Sequence, residues 1–88
     1  MGVFAGGSAY NMAQSIADGY IIPTELTFKT FKDPDLQTFL FEAEKLLREV
    51  RGNQAPVDDI AAAQNRQRRM QRITQVITLA NAIRSKRR

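Results

Sequence analysis

The chain has 88 residues, enough for a single domain, and it contains neither cysteine nor histidine. These absences exclude disulfides, thiolate zinc sites and thiol catalysis, and they remove the usual general base near neutral pH. The formal net charge of +4 is sorted by position: residues 1–65 carry five basic and nine acidic side chains, whereas residues 66–88 carry eight basic and no acidic ones. The basic C-terminal part predicts a polyanionic partner.

Catalytic and membrane functions find no support in the sequence. It contains no nucleophile–base pair, metal-ligand cluster or phosphate-cradling loop, so we expect a protein that is not an enzyme and uses no cofactor or metal. No apolar run approaches the ~20 residues of a membrane span. The N-terminal segment lacks the positive region of a signal peptide. We therefore expect a cytoplasmic protein without a membrane partner.

The first predicted helix covers residues 8–18. Ser8 suits its N-cap, Gly19 suits the position after its last turn, and Pro23 prevents its continuation. Small residues recur every four positions on its apolar face: Ala9, Ala13 and Ala17. We interpret this face as core-facing, and a contact face between copies of the chain is the alternative.

Residues 21–32 allow two interpretations. The Thr- and Phe-rich run from Leu26 to Phe31 favours extended structure, whereas a short helix after Pro23 fits nearly as well. The two phenylalanines and the leucine of this run predict that the connection packs over the core.

The second predicted helix covers residues 34–51. Asp33 is its N-cap candidate, Pro34 occupies its first turn and Gly52 ends it. At about 100° per residue, its apolar side chains fall in one stripe about 120° wide. These side chains are Leu36, Phe39, Leu40, Ala43, Leu46, Leu47 and Val50.

Phe41 lies outside this stripe, on the side of Lys45 and Arg48. An exposed aromatic residue beside two cations is able to stack on a base or to fill a pocket of a partner. The alternative is that the protein's own loop, residues 21–31, covers Phe41.

The third predicted helix covers residues 57–84 and is followed by a flexible basic tail, residues 85–88. Asp58 and Asp59 lie at its first turn, where the helix dipole favours acidic side chains, and no Gly or Pro interrupts the helix. The three segments predict one all-α domain, a small three-helix bundle with a long basic C-terminal helix.

Arginines occupy unexpected positions in this last helix. When the apolar face around Ile73 is continued toward the N-terminus, it meets Arg66 and Arg69. Burying an unpaired guanidinium costs several kcal/mol, and we expect these groups to have no internal partners. Three explanations follow: the helix extends beyond the body, it breaks near Asn65, or phosphates or an acidic partner supply the counter-charge.

Phosphate is the favoured counter-charge, because guanidinium groups bind phosphate in a bidentate manner and neighbouring amides donate further hydrogen bonds. We expect about five contacts and hence a log–log salt slope near −4 on duplex DNA. The residues assigned to nucleic-acid binding are Arg66, Arg68, Arg69, Arg72, Gln64, Gln67, Gln71, Gln75, Arg84, Lys86, Arg87 and Arg88.

The predicted function is that of a non-enzymatic structural subunit that contacts a DNA or RNA sugar–phosphate backbone with little sequence specificity. The alternative is a protein–protein adaptor whose basic helix docks on an acidic protein surface. In both cases we expect partner subunits in a larger complex, further copies of the chain included.

A short, basic, all-helical chain with the Arg66–Arg72 cluster and without catalytic residues resembles the small subunits of CRISPR RNA-guided surveillance complexes. The resemblance rests on size, helical content and that cluster. It implies several copies inside a ribonucleoprotein with a role in antiviral defence, steadying a paired or displaced DNA strand through basic residues. It assigns a role to no individual residue.

Overall fold

The computed structural model describes residues 3–53 and 58–87. Within these ranges the chain forms three α-helices and no strand: α1 at Ala9–Ala17, α2 at Asp33–Gly52 and α3 at Ile60–Lys86. Two short 3-10 turns, Ala5–Gly7 and Glu25–Phe28, precede α1 and α2. The expected all-α helical bundle is confirmed.

Both ends of α1 follow from local sequence. The Ser8 hydroxyl accepts a hydrogen bond from the Asn11 backbone N–H at 3.1 Å and so caps the first turn. Gly19 adopts a φ of 85°, and the Tyr20 N–H then reaches back to the Ser15 carbonyl at 2.9 Å. This is the left-handed C-terminal cap that favours glycine.

The small-residue face of α1 lies inside the bundle. Ala9, Ala13 and Ala17 are at most 5% exposed, and α1 packs against both α2 and α3. The core-facing interpretation is confirmed, and the alternative of a contact face between copies is wrong.

The second helix begins at Asp33, one residue before the predicted start. Lys32 is the N-cap residue, and its N–H donates to the Asp35 carboxylate at 3.0 Å. The prediction that Asp33 is the N-cap is therefore wrong: the helix starts one residue earlier, and the Asp35 carboxylate satisfies the N–H of the N-cap residue Lys32. The predicted apolar stripe is confirmed: Leu36, Phe39, Leu40, Ala43, Leu46 and Val50 are buried and Leu47 is half-buried.

The third helix is continuous over 27 residues, so the explanation that it breaks near Asn65 is wrong. The Asp59 carboxylate caps it by accepting the Ala62 N–H at 2.9 Å. The predicted start at Val57 lies outside the described residues. Its apolar face is confirmed, with Ile73, Val76, Ala80 and Ile83 buried against the other two helices.

The prediction of a flexible tail is wrong for residues 85–87. The helix continues through Lys86, and Arg87 is held by a hydrogen bond from its guanidinium to the Phe31 carbonyl at 2.7 Å. Arg88 lies outside the described residues.

An aromatic cluster joins the connection between α1 and α2 to the core. Phe28 and Phe31 are almost fully buried, with ring centroids 5.1 Å apart, and Phe39 lies 5.2 Å from Phe28. The connection forms a short 3-10 turn rather than an extended segment, and its phenylalanines pack as predicted. The prediction that Leu26 also packs over the core is wrong, since its side chain is 75% exposed.

Candidate nucleic-acid interface

The exposed face of α3 carries a row of uncharged polar side chains with one cation among them. At about 100° per residue, Gln64, Arg68, Gln71 and Gln75 fall within a sector of about 60°. All four are exposed, as is Gln67 beside them. No acidic residue occurs between Ile60 and Arg87. This face therefore presents hydrogen-bond donors and positive charge without a carboxylate of its own.

Arg66 lies at the C-terminal end of α2. Its Nε donates to the Val50 carbonyl at 3.1 Å, and its Nη2 donates to the Arg51 carbonyl at 2.9 Å. The last four carbonyls of a helix have no partner within the helix and carry part of its negative dipole. Arg66 therefore satisfies the Arg51 carbonyl and shares the Val50 carbonyl with the Asn53 N–H, which lies 3.3 Å from it.

Arg69 and Arg72 both bind the end of α1, Arg69 through a carboxylate and Arg72 through a backbone carbonyl. Arg69 forms an ion pair with Asp18, the C-cap residue of α1. The Nη1 of Arg72 donates to the Ala17 carbonyl at 3.0 Å. The Arg72 guanidinium lies against Gly19, where a Cβ atom would come within 3.2–3.3 Å of it.

The expectation that these arginines have no internal partners is wrong for Arg66, Arg69 and Arg72. All three are half-buried, and each is bound to the end of another helix. None of the three explanations considered above included backbone carbonyls as the counter-charge. For Arg66 and Arg72 the half-charge at a helix C-terminus supplies it, whereas for Arg69 the Asp18 carboxylate does.

Arg68 is the exception within the cluster. Its side chain is exposed, and among residues 3–53 and 58–87 it takes part in no ion pair. Arg68 and its glutamine neighbours thus remain available for a partner along the middle of α3.

A second group of cations lies at the C-terminal end of α3. Arg87 donates to the carbonyls of Phe31 and Phe28, at 2.7 and 3.3 Å, and pairs with Asp33. Lys86 pairs with Glu25, and this hydrogen bond lowers the pKa of the Glu25 carboxyl.

Arg84, a residue also assigned to nucleic acid, is half-buried beside Asp33 and Gln37 in a hollow of about 140 Å³. It has no ion pair with any described residue. The sequence-predicted site is therefore divided into Arg68 with its glutamines and, about 24 Å further along the helix at 1.5 Å per residue, Arg84.

Comparison with protein-family models, with curated proteins and with solved structures gives no match to this chain. The resemblance to CRISPR small subunits stays a prediction. None of the described helices combines the length and the apolar character needed to cross a bilayer.

Phe41 is 63% exposed, so the interpretation that the protein's own loop covers it is wrong. The connection over residues 21–31 packs on the opposite side of α2, through Phe28 and Phe31 onto Phe39. The Lys45 ammonium lies 5.8 Å from the Tyr10 ring centroid. Lys45 is thus directed toward α1, and Arg48 is exposed.

The sequence reasoning missed a second exposed feature, an apolar segment after α1. Tyr20, Ile22 and Leu26 are 85%, 82% and 75% exposed. Tyr20 continues the apolar spacing of α1, yet the left-handed Gly19 turns the chain before the helix reaches it. The glycine followed by three apolar residues was the signal available in the sequence.

Proposed function

We propose that the chain is a non-enzymatic subunit that holds a nucleic-acid backbone along the exposed face of α3, with little sequence preference, inside a larger assembly. The observation that carries the proposal is a 27-residue helix that, together with its C-cap residue Arg87, carries seven basic side chains and no acidic one. Carboxylates of the described residues pair with three of them: Arg69, Lys86 and Arg87.

The arrangement of side chains suits a backbone rather than base edges. Arg68 offers a planar fork to phosphate oxygens, and the flanking amides of Gln64, Gln71 and Gln75 donate to phosphate or sugar oxygens. The helix is about 40 Å long, which corresponds to roughly twelve base-pair steps of a duplex. Contacts of this kind position a strand and carry no sequence information.

The internal roles of Arg66, Arg69 and Arg72 reduce the number of phosphate contacts that we expect. Arg68 is the one cation in the glutamine row, because Arg84 lies about 160° around the helix from it at about 100° per residue. The row therefore provides about one contact, and the proposed log–log salt slope is near −1 on duplex DNA instead of −4. Arg66 and Arg72, which pair with no carboxylate of the described residues, add positive potential, whereas the charge of Arg69 is balanced by Asp18.

Fluorescence anisotropy of labelled single- and double-stranded oligonucleotides, measured at several salt concentrations, tests the proposal. Arg68→Ala should weaken binding to every sequence alike and reduce the slope on duplex DNA by about 0.9. The matched control is Arg51→Ala, which removes one exposed cation from α2. Equal losses in both variants would mean that net charge binds, not this face, and absence of binding at low salt would refute the proposal.

The parent assembly that we propose is a multi-subunit ribonucleoprotein, for which the CRISPR surveillance complexes are the candidate that the sequence resemblance suggests. The second candidate function, a protein–protein adaptor, is favoured by the exposed apolar segment around Ile22. Retention on an acidic protein at physiological salt, at the same level as on DNA, would favour the adaptor.

A further inference from the structure

A cleft of about 290 Å³ lies between the segment after α1 and the middle of α3. Its walls are apolar, formed by Ile16, Ile21, Ile22 and Pro23, and Arg72 from α3 closes one side. The cleft combines an aliphatic surface with a single guanidinium.

The Arg72 guanidinium is only partly used inside the protein. A Cβ atom at Gly19 would lie 3.2 Å from its Cζ and 3.3 Å from both terminal nitrogens, so its plane faces the glycine. One of its five N–H donors is bound to the Ala17 carbonyl. Among the described residues no carboxylate pairs with it, because Asp18 is bound to Arg69.

The segment after α1, which supplies Ile21, Ile22 and Pro23 to the cleft, is unusually apolar for a surface loop. Six large hydrophobic side chains of the described residues are exposed, and three of them lie within the seven residues from Tyr20 to Leu26. Ile22, which lines the cleft, is 82% exposed. Exposed apolar groups that adjoin a charged anchor mark binding sites more often than isolated ones do.

We infer that this cleft binds a segment of a partner protein in which a carboxylate is adjacent to an apolar side chain. The carboxylate would take the free donors of Arg72, since guanidinium and carboxylate match in a planar, bidentate manner. The neighbouring apolar side chain would cover Ile22 and Pro23. The charge of the cleft and its aliphatic lining thus define the two chemical features of the ligand.

A protein ligand suits the lining better than a nucleic acid. A backbone phosphate would satisfy Arg72 but leave the aliphatic walls against a polar sugar. Bases stack on aromatic rings, and none of the residues that line the cleft is aromatic. The two sites share Gln75, which belongs to the glutamine row and lines the cleft, but this inference rests on Arg72 and Ile22 whereas the proposed function rests on Arg68.

Heteronuclear NMR of the labelled 88-residue chain, titrated with N-acetyl-leucyl-glutamate, tests the inference. We expect saturable shifts at Gly19, Ile22, Gln75 and the Arg72 Nε, with a dissociation constant of about 1 mM, typical of a two-residue ligand. The control probe is the C-terminal amide of N-acetyl-leucyl-glutamine, which is neutral because it has no carboxylate. If the neutral probe binds as tightly as the acidic probe, the inference is refuted. It is also refuted if the acidic probe causes no shift even when the ionic strength of the buffer is lowered about 20-fold.

Variants separate the two features of the cleft. Ile22→Ser should weaken binding of the acidic probe roughly fivefold, because it removes apolar contact area, and Leu26→Ser is the matched control outside the cleft. Arg72→Lys keeps the charge but loses the fork, so it should weaken the acidic probe alone. Inorganic phosphate and a thymidine oligonucleotide are the final comparison. If either of them shifts the same residues at a lower ligand concentration than the acidic peptide does, the cleft is a phosphate site and the inference is overturned.

Loss of oligonucleotide binding in Arg68→Ala, with peptide binding unchanged, would separate the two proposals, and so would the reverse pattern in Ile22→Ser.

Discussion

The guanidinium of Arg66 donates a hydrogen bond from Nε to the carbonyl oxygen of Val50 at 3.1 Å, across 16 residues of chain. With the second bond to Arg51, it ties the beginning of α3 to the end of α2. Arg72 makes the equivalent contact to Ala17 at the end of α1. Two arginines of one helix therefore close the C-terminal ends of the other two.

We predict that Arg66→Ala lowers the free energy of unfolding by about 2 kcal/mol, since hydrogen bonds from a charged group contribute roughly 1.5–3 kcal/mol. For a domain of this size that corresponds to a fall in Tm of about 10 °C. Thermal unfolding followed by circular dichroism measures it. Arg68→Ala, an exposed substitution two residues away, should change stability by less than about 0.5 kcal/mol. Equal effects of both would show that the helix-end contact does not stabilise the fold.

We predict that Gly19→Ala destabilises the protein by about 1–2 kcal/mol, because a left-handed residue with a Cβ atom is strained. The added atom would also meet the Arg72 guanidinium at 3.2 Å. Gly52 has no positive φ and open space around it, so Gly52→Ala should stabilise by a few tenths to about 1 kcal/mol. Opposite signs in urea unfolding confirm the prediction, and a neutral Gly19→Ala contradicts it.

How far the sequence could lead is clearest in α2 and α3. The spacing of the apolar residues from Leu36 to Val50 predicts the buried stripe of α2 correctly, because periodicity reports burial directly. The partners of Arg66 and Arg72 are beyond such reasoning, since they are backbone carbonyls whose position depends on tertiary packing. The combination of two helix ends at Gly19 and Gly52 with inward-facing arginines was the clue that the sequence contained.

The connection between α1 and α2 shows a second limit. Phe28 and Phe31 have the hydrophobicity that predicts burial, and they are buried, yet Ile22 and Leu26 have it too and are exposed. Composition does not decide between them: Leu26 and Phe28 share one 3-10 turn, yet one side chain is exposed and the other is buried. The cleft at Arg72 was not predicted, because its lining residues come from segments about 50 residues apart in the chain, and their approach depends on tertiary packing.

We predict that Phe28→Ala lowers the free energy of unfolding by about 3–5 kcal/mol, the usual range for a buried phenylalanine. Phe28 is fully buried between Phe31 and Phe39, so the substitution leaves a cavity in the aromatic cluster. At about 0.05–0.15 kcal/mol per residue, this is a large part of the total stability of an 88-residue domain. Phe41→Ala, which truncates an aromatic ring that is 63% exposed, is the control and should be nearly neutral. Chemical denaturation of both variants distinguishes core from surface.

We predict that the Tyr10–Glu49 hydrogen bond makes stability fall at alkaline pH. The Tyr10 hydroxyl donates to Glu49 Oε1 at 2.7 Å, and this bond raises the pKa of Tyr10 above its ordinary value of 10.0. A pKa that is higher in the folded than in the unfolded state contributes stability below pH 10, and that contribution disappears as the pH rises through the folded-state pKa.

In a Tyr20→Phe background, the absorbance of the phenolate at 295 nm follows Tyr10 alone, at a wavelength where phenolate absorbs. Glu49→Gln should move this titration toward lower pH, because it removes the negative charge that opposes ionisation; Glu44→Gln, on an exposed part of α2, should leave it unchanged. An identical titration in wild type and Glu49→Gln would show that the contact does not form in solution.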